Sequence, residues 1–184
     1  MVLIAITGAT GIHIAIKLLE ILKEMGLERE LIISKSAEEV IKLETNYDLS
    51  QIRNLASKNY DFNDLTAAPA SGSYKIENGM IIVPCTMKTL SAIANGYADN
   101  LITRAADVMI KEQRKLVLVV RESPLSAIHL ENMLKLARLG VVIAPPVPSY
   151  YIEPKSVNDL IIYTVGRILD QINIHIEMNR WGSN

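Results

Sequence analysis

The stretch Val2-Leu3-Ile4-Ala5-Ile6-Thr7-Gly8-Ala9-Thr10-Gly11 decides the architecture of this chain. Five apolar residues run into five small or hydroxyl-bearing ones, and a helical pattern follows over residues 11–25. A short unbroken apolar run suits a strand buried on both faces, because neither side of it tolerates polar groups. In the helical part Ile14, Leu18, Leu19 and Ile21 fall on one broad face. Small residues at such a junction let backbone N–H groups approach an anion at the helix N-terminus, where the dipole also favours negative charge. The hydroxyls of Thr7 and Thr10 add donors there. The competing reading is a plain tight turn with Thr10 as the helix N-cap. The turn is neither a full G-x-G-x-x-G nor a Walker A loop, which needs a lysine near its end.

Working outward, the same alternation recurs. Residues 31–34, 80–83, 116–120 and 141–144 read as buried strands. Residues 36–43, 89–95, 101–113 and 126–139 read as helices, and 157–177 as a last helix that stays apolar on more than one side. This order predicts an α/β fold of the three-layer Rossmann or flavodoxin-like kind, a parallel sheet with helices on both faces. Two stretches break it: a loop over 61–79, and a proline-rich turn over 145–154 that leads into the final helix. With 184 residues and no repeat, the expectation is one domain over 1–184, its C-terminal helix and tail from about 157 packing at a subunit interface.

A net charge of −1 argues against nucleic acid as the main partner, which calls for a basic face. No apolar run approaches the roughly 20 residues needed to span a bilayer, and no basic segment precedes the first strand. Cys85 is the only cysteine, so no internal disulfide can form. A cytoplasmic protein away from membranes is expected. His13, His129 and His175 are far apart and no Cys/His metal spacing exists, so no metal site is expected.

A second hydroxyl-rich strand-to-helix turn, Pro84-Cys85-Thr86-Met87-Lys88-Thr89, strengthens the first. In open α/β sheets ligands bind at the carboxyl ends of strands. Arg104 and Lys111 are seven apart on one helix and share a face. Arg121, directly after five Leu and Val residues, belongs at the ligand-binding edge of the sheet with Glu122 beside it. For Arg104, Lys111 and Arg167 alone, a solvated surface group is the ordinary reading, as it is for Glu44 and Glu122. Cys85 has no histidine at a pairing position and reads as a buried small residue. Trp181 is either exposed in the tail or held there because the tail folds onto something.

Taken in order, Gly8-Ala9-Thr10-Gly11, Ser34-Lys35, Leu43-Glu44-Thr45, Pro84 through Leu90, Thr103 through Val108, Lys111-Glu112, Val120 through Leu125 and Pro145 through Tyr151 resemble the UbiX-type flavin prenyltransferases. These were formerly described as aromatic-acid decarboxylases. The resemblance covers nearly the whole chain. It implies FMN, used reduced, at a subunit interface in trimers and dodecamers. It implies dimethylallyl monophosphate as prenyl donor, with the prenyl group joined to N5 and C6 of the flavin and the product handed to a partner decarboxylase. FMN contacts then fall on Gly8, Ala9, Thr10, Ser34, Thr86, Met87, Lys88, Thr89 and Arg121. Prenyl-phosphate contacts fall on Arg104, Lys111, Glu122, Tyr151 and Arg167. Catalytic roles fall on Glu44, Lys111, Arg121, Glu122 and Trp181: the cations neutralise the departing phosphate without a metal, the glutamates move protons, and the indole faces an allylic cation. The family usually has serine where Thr10 and Thr86 stand, and retained FMN binding is expected. The alternatives are a flavin-dependent cysteine decarboxylase-like enzyme and a non-catalytic FMN-binding protein.

Overall fold

A computed structural model describes residues 1–182. Six parallel strands form one sheet: β1 (Val2–Ile6), β2 (Arg29–Ile33), β3 (Lys58–Tyr60), β4 (Gly79–Cys85), β5 (Leu116–Val120) and β6 (Val142–Ile143), in the order β3-β2-β1-β4-β5-β6. The helices are α1 (Ile12–Glu24), α2 (Lys35–Glu44), α3 (Leu49–Arg53), α4 (Met87–Ala94), α5 (Leu101–Lys111), α6 (Ala127–Arg138) and α7 (Val157–Asp170). Strand alternation sends Val2, Ile4, Ile6, Leu31, Ile33, Ile81, Val83, Val117 and Val119 into one core with α1, α2, α3 and α7. It sends Leu3, Ala5, Ile32, Met80, Ile82, Leu116, Leu118 and Val120 into the other, with α4, α5 and α6. Each fully buried Leu or Ile contributes about 1.5–3 kcal/mol, which is why the central strands carry no polar residue.

The strand order reverses between β1 and β4, the position where a crevice opens outside the carboxyl ends of a Rossmann-type sheet. Both hydroxyl-rich turns lead off from these two strands.

Three features differ from the sequence expectation. First, β3 and α3 carry no apolar run of their own, and β2 begins earlier than its apolar run. Glu30 lies inside β2 yet is buried, because Tyr60 donates to one carboxylate oxygen at 3.1 Å and Tyr74 to the other at 2.6 Å. Second, the 61–79 loop is an ordered strap fastened to α5 and the turn after it: Arg104 donates to the Ala70 carbonyl, and Arg114 to the Gly72 and Tyr74 carbonyls. Third, the last helix stops at Asp170 and not at residue 177. The chain reverses at Asn173, whose φ is 61°, and Ile172 and Ile174 are buried while Asn173 and His175 are exposed. That alternation is strand-like. The residues that made the segment look apolar all round belong to an extended tail laid back along α7.

Candidate active site

Thr7 ends β1 with its hydroxyl fully engaged. It donates to the Pro84 carbonyl at 2.7 Å and accepts the Thr86 N–H at 2.9 Å. The side chain is buried, so it ties the two turns of the switch point together and is not a ligand donor, as the sequence had suggested. Gly8 follows because α2 passes directly over it: a Cβ there would lie 2.5 Å from the Ser36 Cβ. At its other end α2 reaches the first turn of α1, so it lies across the carboxyl-terminal edge of the sheet.

That second contact settles the N-terminus of α1. The N-cap is Gly11, at φ 104°, and not Thr10, which is exposed. The cap anion comes from α2: Glu44 Oε2 accepts the N–H of Gly11 at 3.0 Å and of Ile12 at 3.3 Å. His13 Nε2 donates to the Glu44 carbonyl at 3.1 Å. The anion position that the Thr7–Gly11 turn suggests is therefore filled by a carboxylate of the chain itself. This capping group lies more than thirty residues away, and no local pattern announces it.

Two further helix N-termini meet the same edge. Ser34 caps α2, its hydroxyl accepting the Ala37 N–H at 3.1 Å, and Ser36 Oγ lies 3.1 Å away. Thr86 caps α4, accepting the Thr89 N–H at 3.2 Å and donating to the Thr89 hydroxyl at 3.0 Å. A side-chain cap satisfies one of the four first-turn N–H groups of a helix. The remaining donors, with the positive end of each dipole, suit an anionic ligand. Met87 and Thr89 are buried beneath this turn, and Lys88 is exposed. Cys85 is fully buried, and burial raises its thiol pKa well above the ordinary value, which leaves it inert as a nucleophile.

Arg121 leaves the carboxyl end of β5, exposed, its N–H bonded to the Cys85 carbonyl at 3.2 Å. Glu122 is exposed beside it and accepts the Ser123 N–H at 3.0 Å. The structure thus gathers Gly8, Ala9, Thr10, Ser34, Glu44, Thr86, Met87, Lys88, Thr89, Arg121 and Glu122 along one edge.

Lys111 is elsewhere. It ends α5, pairs with Glu112 at 2.7 Å and lies over Gly72. Four residues later the Lys115 carbonyl accepts the Met80 N–H, at the amino end of β4. Lys111 and Arg121 therefore flank opposite ends of the sheet, about 20 Å apart along the strands. Arg104 shares the Lys111 face of α5, as its spacing implies, and pairs with Asp107 at 2.7 Å.

Tyr151, Arg167 and Trp181 form a third group. The Tyr151 ring packs edge-on against Tyr163 (5.8 Å, 88°) and against Trp181 (5.2 Å, 87°). The Tyr151 hydroxyl bonds the Tyr163 hydroxyl, which raises the Tyr151 pKa, while the Arg167 charge opposes the rise. Trp181 meets both halves of its expectation: the tail folds onto the chain, and the indole remains 82% exposed. Tyr151, Arg180 and Trp181 line a cleft of about 510 Å³. A second, of about 300 Å³, lies between Arg167 and residues 142–149 past the end of β6. Among the described residues no cluster of His, Cys, Asp and Glu suits a metal ion, and no helix is long and apolar enough to cross a membrane.

Residues 1–177 match the Flavoprotein family. The chain is 52% identical to a mitochondrial flavin prenyltransferase of Saccharomyces cerevisiae, over 98% of this chain and 74% of that protein. It superposes on AnUbiX (PadA1) in complex with FMN and dimethylallyl pyrophosphate with a TM-score of 0.94 and 49% identity, covering 98% and 97% of the two chains. A dodecameric FMN-dependent UbiX-like decarboxylase of Escherichia coli O157:H7 gives 0.94 and 46%, covering 97% and 98%. The FMN-dependent cysteine decarboxylase TvaF, at 15% identity and a TM-score of 0.65, shares the fold alone.

Proposed function

The chain belongs to the flavin prenyltransferases of the flavoprotein family, and we propose that it joins the dimethylallyl group of dimethylallyl monophosphate to N5 and C6 of reduced FMN. The observation that carries this reading is the convergence, at one switch point, of two capped helix N-termini, a cation and two carboxylates. An edge of that composition fits FMN: the N-termini of α2 and α4 suit its phosphate, and the small side chain of Ala9 leaves room for a flat ring close to the backbone.

Bound and reduced, FMN supplies the nucleophile. The chain does the rest. Ser34, Thr86, Met87, Lys88, Thr89 and Arg121 orient the cofactor, with Thr10 at its rim. Lys111, Arg167, the Tyr151 hydroxyl and the nearby Arg104 take the charge of the departing phosphate, so no metal is needed. Trp181 offers its indole face to the allylic cation. Glu44, held by two backbone N–H groups, and Glu122, on the rim beside Arg121, accept and return protons.

Lys111 lies a sheet-length from Arg121 within one subunit, so the site is completed by a neighbouring copy, and a dodecamer in the manner of the E. coli relative satisfies this. Exposed Ile128, Leu130, Leu134 and Leu139 on and after α6, with Val157 at the start of α7, give the single domain apolar surface for such contacts. The product serves a partner decarboxylase, and the enzyme works in the cytoplasm.

The test is anaerobic incubation with FMN, dithionite and dimethylallyl monophosphate, followed by mass spectrometry of the released flavin. The pyrophosphate held by AnUbiX serves as a parallel donor. A flavin heavier by one prenyl unit, absent with Glu44→Gln and with Lys111→Ala, is expected. Unmodified FMN despite stoichiometric binding would overturn the transferase reading.

A further inference from the structure

The prenyl-donor end of the site rests on one carboxylate outside the set assigned above. Asp170 is the last residue of α7, where the negative end of the helix dipole opposes an anion. It is nevertheless the innermost charge of its cluster: its side chain is 10% exposed, against 53% for Arg167, 37% for Arg180 and 69% for His175. Arg180 binds both of its oxygens, at 2.8 and 2.9 Å, the forked geometry that fixes orientation as well as distance. Arg167 donates to the same carboxylate at 2.8 Å, and His175 lies 2.9 Å from it.

The three partners come from two places. Arg167 is one turn back on α7, whereas His175 and Arg180 belong to the tail that returns along the helix. Gly166 makes that return possible, since a Cβ there would lie 2.4 Å from the Met178 sulfur and 3.2 Å from the Ile176 side chain. Next to Arg180 is Trp181, whose ring meets Tyr151, and the Arg167 charge acts on the same tyrosine. One anion thus touches Arg167 directly and reaches Trp181 and Tyr151 through Arg180.

We infer that Asp170 is a positioning residue for prenyl transfer: it sets the Arg167 guanidinium on α7 and, through Arg180, docks Trp181 against Tyr151. This rests on the reading that Tyr151, Arg167 and Trp181 meet the prenyl phosphate. Both guanidinium groups meet the one carboxylate of Asp170, which holds them in place. The forked Arg180 pair fixes the tail, and the N–H groups that Arg167 does not spend on Asp170 remain for phosphate.

Trp181 is the only tryptophan, so its fluorescence anisotropy reports tail docking directly, without activity and before FMN is added. In the full-length protein, Asp170→Asn lowers that anisotropy, and it raises KM for dimethylallyl monophosphate about tenfold, the scale of one lost charge-assisted hydrogen bond. FMN affinity changes less than twofold, and Asp170→Glu recovers part of the loss. Arg180→Gln, in the tail and away from the core, gives the same fall in anisotropy should Asp170→Asn fold poorly. Unchanged anisotropy in either variant overturns the inference, as does an unchanged KM in a folded Asp170→Asn. If Trp181→Ala and Arg167→Ala both transfer the prenyl group at the wild-type rate, the assignment of those two residues fails instead.

Discussion

The switch-point crevice and the C-terminal tail are held by opposite kinds of force. At the crevice the ties are short, largely buried and, Glu44 apart, uncharged: Thr7 bridges Pro84 and Thr86, Gly8 admits Ser36, and the Ser34 and Thr86 hydroxyls cap their helices. Along the tail the ties are ion pairs between half-exposed side chains around Asp170. A scaffold that must present a cofactor edge in one shape is served by sterics and neutral hydrogen bonds, which salt and pH leave alone. A segment that only returns along a helix surface is served by charges, which respond to both.

The largest effect expected from that contrast is at Thr7. Thr7→Val keeps the shape but leaves the Thr86 N–H without its acceptor and the Pro84 carbonyl with the Thr7 backbone N–H alone, a loss of about 2–4 kcal/mol. Urea unfolding measures it, and a cost below half a kcal/mol would break the comparison on its crevice side. Next, Gly8→Ala forces α2 off the edge at a cost of about 1–3 kcal/mol. Ser36→Gly in the same chain returns only part of it, because the Ser36 carbonyl carbon still lies 2.9 Å from the added Cβ once the side chain is gone.

The tail responds to pH. The Arg180 guanidinium, with His175 and Arg167, holds the Asp170 carboxyl at about 2, below the ordinary carboxylate range. A carboxylate lowered on folding stabilises the protein above its unfolded pKa near 3.8, and that stability is lost as pH falls through the folded value. The contribution, about 1–2 kcal/mol after screening, is therefore flat from pH 7 to 5 and disappears between about 4 and 2. Trp181 anisotropy follows it, and Asp170→Asn abolishes the transition. A tail that stays docked at pH 2 would place its stability in the buried Ile172 and Ile174 instead. The smallest effect is at Gly166. Gly166→Ala gains helix propensity of about 1 kcal/mol and loses a similar amount against Met178, so unfolding barely moves while the tail shifts.

What the sequence disclosed follows the same division. β1, β4, β5 and the turns after β1 and β4 were legible because burial on both faces leaves an unbroken apolar run. β3 was not, since Lys58 and Asn59 are exposed at the sheet edge and carry no such run. Glu30 hid the start of β2 because its two tyrosine partners stand thirty and forty-four residues away. The tail was misread because Ile172, Ile174 and Ile176 continue the apolar pattern of α7 at a different period. The edge residues of the site followed from strand ends and from resemblance. The capping role of Glu44, and the separation of Lys111 from Arg121, are tertiary facts with no local signature.

The separation of Lys111 from Arg121 also has a genetic face. If each site draws one cation from each of two copies, Lys111→Ala and Arg121→Ala are two inactive alleles that complement one another. Random mixing in equal amounts leaves about a quarter of the sites with both cations intact, each assembled from the undamaged halves of two defective chains.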